Sequence, residues 1–237
     1  KVPMVEAEGA SRSLFTQGYR YMFAVLSTSE YYLAPVLDIM ADKAKAMGKN
    51  PADLRISMAF ENDGFSLDVR AGVVDKAKEY GMKIVIDDKL PADLSDMSAT
   101  LTKTKALKPD ILLVSGHSKG AATAARQIEE MKIDVPLIAY THCEAAKVQE
   151  KFPKSANGVM CPTQWLSNLP KKDDYFGDAA KWNADFKKAY PEYNVVPYQT
   201  AQASAAVLVF KDAFERANSF DRDKVRDALA ATDMETF

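Results

Sequence analysis

ILLVSGHSKGAATAARQIEEM, residues 111–131, decides the fold. Five apolar or small residues run together, a turn follows with glycines at 116 and 120, and a small-residue helical pattern closes the stretch. A continuous apolar run, rather than an alternating one, is the mark of a strand buried on both faces. The helix after it would carry the chain back along the sheet to start a parallel neighbour.

Outward from this unit the alternation repeats. LRISMAF (54–60), MKIVIDD (82–88), DILLVSG (110–116), VPLIAYT (135–141) and GVMCPTQWL (158–166) read as strands. Between and before them, 31–48, 66–81, 97–108, 121–132 and 144–152 read as helices, with Gly81 and Pro109 as stop signals. The pattern predicts an α/β fold: a parallel sheet with helices on both faces and right-handed crossovers. The flanks differ. VPMVEAEGAS reads as a strand ending in a small-residue loop, and after Trp165 come three helical runs. The first of these aligns Phe176, Ala179, Trp182, Phe186 and Tyr190 on one stripe. With no strands of their own to cover, these helices are expected to belong to a larger fold.

Composition excludes several classes. A net charge of −2 with dispersed Lys and Arg leaves no electrostatic footprint for nucleic acid or an anionic membrane. No apolar run is long enough to cross a bilayer. The opening KVPMVEAEGAS contains no signal-peptide core, as is also true of mature exported proteins. Cys143 and Cys161 form no C-x-x-C pair and have only His142 nearby, so ligand counting gives no zinc site. Two buried small hydrophobes is the plain reading of these cysteines, and a disulfide is open to an exported chain.

Gly116-His117-Ser118-Lys119-Gly120 matches the G-x-S-x-G of a serine-hydrolase elbow. The rest of the machinery is missing. The histidine that follows, His142, ends the next strand, and Asp134 sits at a strand start on the opposite sheet edge. No oxyanion segment of the HGGG type is present. Ligands of open parallel sheets bind outside the carboxyl ends of the strands. Both histidines of the chain, His117 and His142, map to that edge on consecutive strands, with Phe65 to supply an apolar wall. A mostly apolar pocket with a few placed polar groups suits a small ligand.

VPMVEAEGASRSLFTQGYRYMFAVLST, FENDGFSLDVRAG, KTKALKPDILLVSG, TQWLSNLP, FGDAAKWNADFKKAY and KVRDALAATDMETF resemble, in order and spacing, segments of the branched-chain amino-acid-type solute-binding proteins. That resemblance implies a type I periplasmic binding protein of an ABC importer, truncated at both ends. Residues 1–26 would be a first-lobe fragment and hinge, 27–166 the complete second α/β lobe, and 167–237 first-lobe helices. It implies a non-enzymatic, periplasmic protein with no cofactor or metal, not embedded in the membrane, whose partners are a small ligand and the transporter permease. By the same resemblance the ligand would meet the loop Glu8-Gly9-Ala10-Ser11, whose N–H groups and hydroxyl hold a carboxylate, and Phe65, His117, Ser118, Thr141, His142, Tyr198 and Gln199. Thr141 stands where amino-acid binders of this family place an acid for the ligand ammonium. The expectation is therefore an organic, preferably aromatic, carboxylate over a plain amino acid. The rival readings are a ligand-sensing domain of a regulator or receptor and, more remotely, a serine hydrolase using Ser118.

Overall fold

The structure, a computed structural model, describes residues 1–144, 148 and 151–237. In chain order the main elements are β1 (Met4–Glu6), β2 (Met22–Ala24), α1 (Ala34–Ala46), β3 (Arg55–Glu61), α2 (Gly64–Tyr80), β4 (Lys83–Leu90) and α3 (Ser98–Leu107). They continue with β5 (Ile111–Ser115), α4 (Ser118–Glu130), β6 (Leu137–Tyr140), α5 (Ala179–Ala189), α6 (Tyr198–Ala217) and α7 (Arg222–Ala230). The chain forms two compact units, one of residues 28–162 and one of 1–27 with 163–237.

The first unit is built on a parallel sheet of order β4-β3-β5-β6. Register aligns the strand ends: Phe60 lies opposite Ser115, and Val114 opposite Tyr140. Alternation along each strand divides the core. Ile56, Met58 and Phe60 of β3 join Ile111, Leu113 and Ala139 in packing against α1 and α2. Ala59, Leu112, Val114 and Tyr140 face α3 and α4 instead. Each fully buried large side chain among them contributes about 1.5–3 kcal/mol. That two-sided burial is why the strands read as unbroken apolar runs.

Helix ends follow local chemistry. Asp63 caps α2 by accepting the Ser66 N–H at 2.8 Å, and Gly81 closes that helix with φ 70°. Lys108 ends α3 in the left-handed region just before Pro109.

Two expectations need correction. Residues 158–166 are not a strand: Met160 makes a single bridge to Ala139, and Pro162, lacking an N–H, cannot extend a ladder. The terminal helices do have strands to cover: in the second unit Ala213, Val225 and Leu229 of α6 and α7 pack with Val5 and Phe23 of the parallel pair β1-β2. The expected helix over 144–152 falls largely outside the described residues. The aromatic stripe of α5 is present, with Trp182 and Ala179 buried beside Trp165, Tyr198 and Phe237.

Candidate functional site

The carboxyl edge of the four-stranded sheet collects the chemistry of its unit. β3 delivers Glu61, then Asp63 and Phe65 at the mouth of α2. β5 delivers Gly116 and His117, the latter being the N-cap residue of α4. β6 delivers Thr141 and His142, with His142 in the left-handed region at φ 57°. That conformation costs a non-glycine residue on the order of 1 kcal/mol, so the surrounding structure has to hold it.

Three rings meet there. Phe65 lies 5.4 Å from His117 and 5.7 Å from His142, and the two imidazoles are 5.8 Å apart, measured between centroids. Tyr32 backs Phe65 edge-on at 5.3 Å. Each imidazole has a carboxylate beside it: His117 Nε2 is 3.4 Å from Asp63 Oδ2, and His142 Nδ1 is 3.8 Å from Glu144 Oε1. Protonation would turn both contacts into ion pairs. His117 is largely exposed, whereas the side chains of His142, Asp63 and Glu144 are mostly covered.

Thr141 is buried, and its hydroxyl is committed to the fold. It donates to the Gly116 carbonyl at 2.7 Å and accepts the Gly116 N–H at 3.1 Å, stitching β5 to β6. Ser118 is the exposed first residue of α4. A disulfide joins Cys143 to Cys161, fixing the segment after His142 to the residues around Met160.

Sequence reasoning missed Glu61. It is 1% exposed, sitting on the face of β3 that also carries Ser57 and Ala59. The glycines of the G-x-S-x-G match serve this side chain rather than a nucleophile. A Cβ on Gly116 would lie 2.6 Å, and one on Gly120 2.7 Å, from Glu61 Oε1. Burial and the neighbouring Asp63 carboxylate push the Glu61 pKa up to about 8, against the opposing pull of the His117 N–H. The signal was an acid at a strand end, in phase with core-facing positions. Ser66 was missed as well: Ser115 Oγ donates to its hydroxyl at 3.2 Å, tying β5 to the start of α2.

In the other unit the loop after β1 is also organised by an acid. Glu6 Oε1 accepts the N–H groups of Ala7, Glu8 and Gly9 at 3.1, 2.9 and 2.8 Å. The Gly9 and Glu8 bonds hold the Glu6 carboxyl below its ordinary range. Ala10 is buried, and Ser11 Oγ lies 3.0 Å from Ser13 Oγ. Tyr198 is buried at the start of α6, and Gln199 follows it with its Oε1 buried and meeting no hydrogen-bond partner among the described residues.

The model of the family described as "Periplasmic binding protein" matches residues 1–237. The chain belongs to the periplasmic binding protein family. A Leu/Ile/Val-binding protein homolog of Brucella abortus is 22% identical over 130 residues, covering 54% of this chain and 32% of its own length. A leucine-binding protein of Thermotoga maritima superposes with a TM-score of 0.77 at 21% identity, covering 96% of this chain and 61% of its own. A solute-binding protein of an ABC transporter from R. palustris, crystallised in complex with benzoate, gives a TM-score of 0.79 at 13% identity, with 98% of this chain and 61% of that one covered. The chain thus spans about a third of the curated relative and three fifths of the solved neighbours. The periplasmic binding protein fold is common to both neighbours. Family and neighbours are binding proteins, which supports a non-enzymatic reading of the G-x-S-x-G stretch. Among the described residues no helix is long and apolar enough to cross a membrane.

Proposed function

We propose that this protein captures a small organic carboxylate, preferably aromatic, as the extracytoplasmic binding component of an ABC importer, and passes it to a membrane permease. Membership of the periplasmic binding protein family supports the transport role. The observation that carries the ligand class is the ring cluster of Phe65, His117 and His142 at one sheet edge. An aromatic ring stacks offset or edge-on against such faces, gaining about 0.5–1.5 kcal/mol per pair beyond simple burial. Each imidazole turns one nitrogen toward its carboxylate neighbour; in the protonated ring the other, Nδ1 of His117 and Nε2 of His142, also carries a hydrogen and donates to a ligand carboxylate. Thr141, where an ammonium-binding acid is otherwise expected, offers no charge. That a structural neighbour is a benzoate complex agrees with this class.

On this reading the ligand sits against the ring-lined strand ends within 27–166. An amino acid is the second reading, favoured by Glu144 and Asp63 beside the rings, which could receive an ammonium.

Titration calorimetry with benzoate, 4-hydroxybenzoate and leucine separates the two. The aromatic acids should bind at least tenfold more tightly than leucine, and His142→Ala should weaken them by a similar factor. Leucine binding with no response to the aromatic acids, or unchanged affinity in both His117→Ala and His142→Ala, overturns the proposal.

A further inference from the structure

Glu61 is explained by neither the ring cluster nor the apolar core. Its carboxyl is buried at 1% exposure, and Oε2 meets no hydrogen-bond partner among the described residues. Asp63 Oδ2 also makes no hydrogen bond among the described residues, with His117 Nε2 beside it at 3.4 Å. Two acidic groups confined together, with His117 as the nearest donor, favour a shared positive charge, since an unpaired buried carboxylate is costly. The third group present is an imidazole. One ligand atom from each of Glu61, Asp63 and His117 lies within 4.8 Å of the others.

We infer that Glu61, Asp63 and His117 form a binding site for a divalent transition cation of the zinc class. Two carboxylate oxygens and one imidazole nitrogen are a donor set that zinc accepts at about 2.0–2.2 Å, whereas magnesium and calcium prefer oxygen alone. The supports around the donors suit that role. Asp63 is oriented by the Ser66 N–H on Oδ1, which leaves Oδ2 for the ion. Glu61 is seated against Gly116 and Gly120, neither of which has a Cβ to displace it. His117 is exposed, so its ring is free to swing the short distance that coordination needs. Three protein donors leave a fourth position open to water or to a ligand oxygen. The ion would be held with no organic molecule present, so this site stands or falls independently of the ligand proposed above.

Chelator-stripped, tag-free protein titrated with ZnCl2, MnCl2 and CaCl2 by calorimetry tests it, with thermal unfolding followed in parallel. One saturable zinc site is expected, with manganese weaker and calcium weaker still, and a melting temperature that rises with zinc. Glu61→Gln, Asp63→Asn and His117→Ala should each lower zinc affinity at least tenfold, while Glu130→Gln at the far end of α4 leaves it unchanged. His117 is on the surface, so its variant folds even where Glu61→Gln does not. Absence of saturable zinc uptake, as a proton shared by the two acids would produce, overturns the site. Wild-type zinc affinity in His117→Ala overturns it equally.

Discussion

Glu6 and Glu61 stand at equivalent places, each the last residue of the first strand of its unit, and they have opposite fates. Glu6 is partly exposed and receives three backbone N–H bonds from the residues that follow it. Its charge is stabilised, so its carboxyl titrates low. Glu61 is fully enclosed, with a second carboxylate for a neighbour, and is pushed up to about 8. Residue type and strand position do not set the chemistry of a carboxyl group; the count of donors and the access of water do.

Adding a methyl group beside each acid tests the contrast most severely. Gly120→Ala places a Cβ 2.7 Å from Glu61 Oε1 and 3.1 Å from Leu94 Cδ2, inside a packed core. We expect it to destabilise by about 1–3 kcal/mol in denaturant unfolding. Glu61→Ala in the same chain should recover part of that loss, with a coupling of at least about 0.5 kcal/mol. Strict additivity would sink the steric account. Gly9→Ala also meets its glutamate, at 2.9 Å from Glu6 Cδ, but that side chain is partly exposed and can move aside. Its cost should stay below about 1 kcal/mol; a larger loss would mean that the Glu6 loop is as rigid as the sheet edge.

The smallest effect concerns pH. Because the folded state lowers the Glu6 pKa, its carboxylate contributes stability that is present above the unfolded value and is lost as pH falls through the folded one. Solvent screening keeps this below about 1 kcal/mol. Glu6→Gln should therefore be slightly less stable than the parent at pH 7, and the two should converge in acid. An equal gap at every pH from 2 to 7 would show that the loop needs only an acceptor, not a charge.

Much of the fold was legible because parallel strands buried on both faces leave unbroken apolar runs. Of the five strands expected in the central alternation, four match within a few residues, from Arg55–Glu61 to Leu137–Tyr140. The fifth failed where Cys161-Pro162 looked apolar enough but could not sustain a ladder. The edge was legible too, since strand direction alone put His117 and His142 at one end of the sheet, and their rings are 5.8 Å apart. Glu61 stayed hidden because a charged residue at a strand end ordinarily reads as solvent-facing. Only its phase with Ser57 and Ala59 points inward, and only coordinates reveal two glycines clearing room for it. The commitments of Thr141 to Gly116 and of the Gly9 N–H to Glu6 were equally invisible, since one hydroxyl or amide serves fold or ligand with the same letter.

The Cys143–Cys161 link can be restated as polymer physics. It ties together residues 18 apart in sequence, with His142 and Glu144 flanking one end of the closed ring. An unfolded chain so fastened has far fewer arrangements to explore, a difference of roughly 3 kcal/mol for a loop of this length. Unfolding compared with and without reductant reads that difference directly, and equal midpoints would deny it. The edge that holds the two imidazoles therefore owes part of its persistence to the disordered ensemble rather than to any contact in the folded one. It would keep that advantage only where thiols remain oxidised.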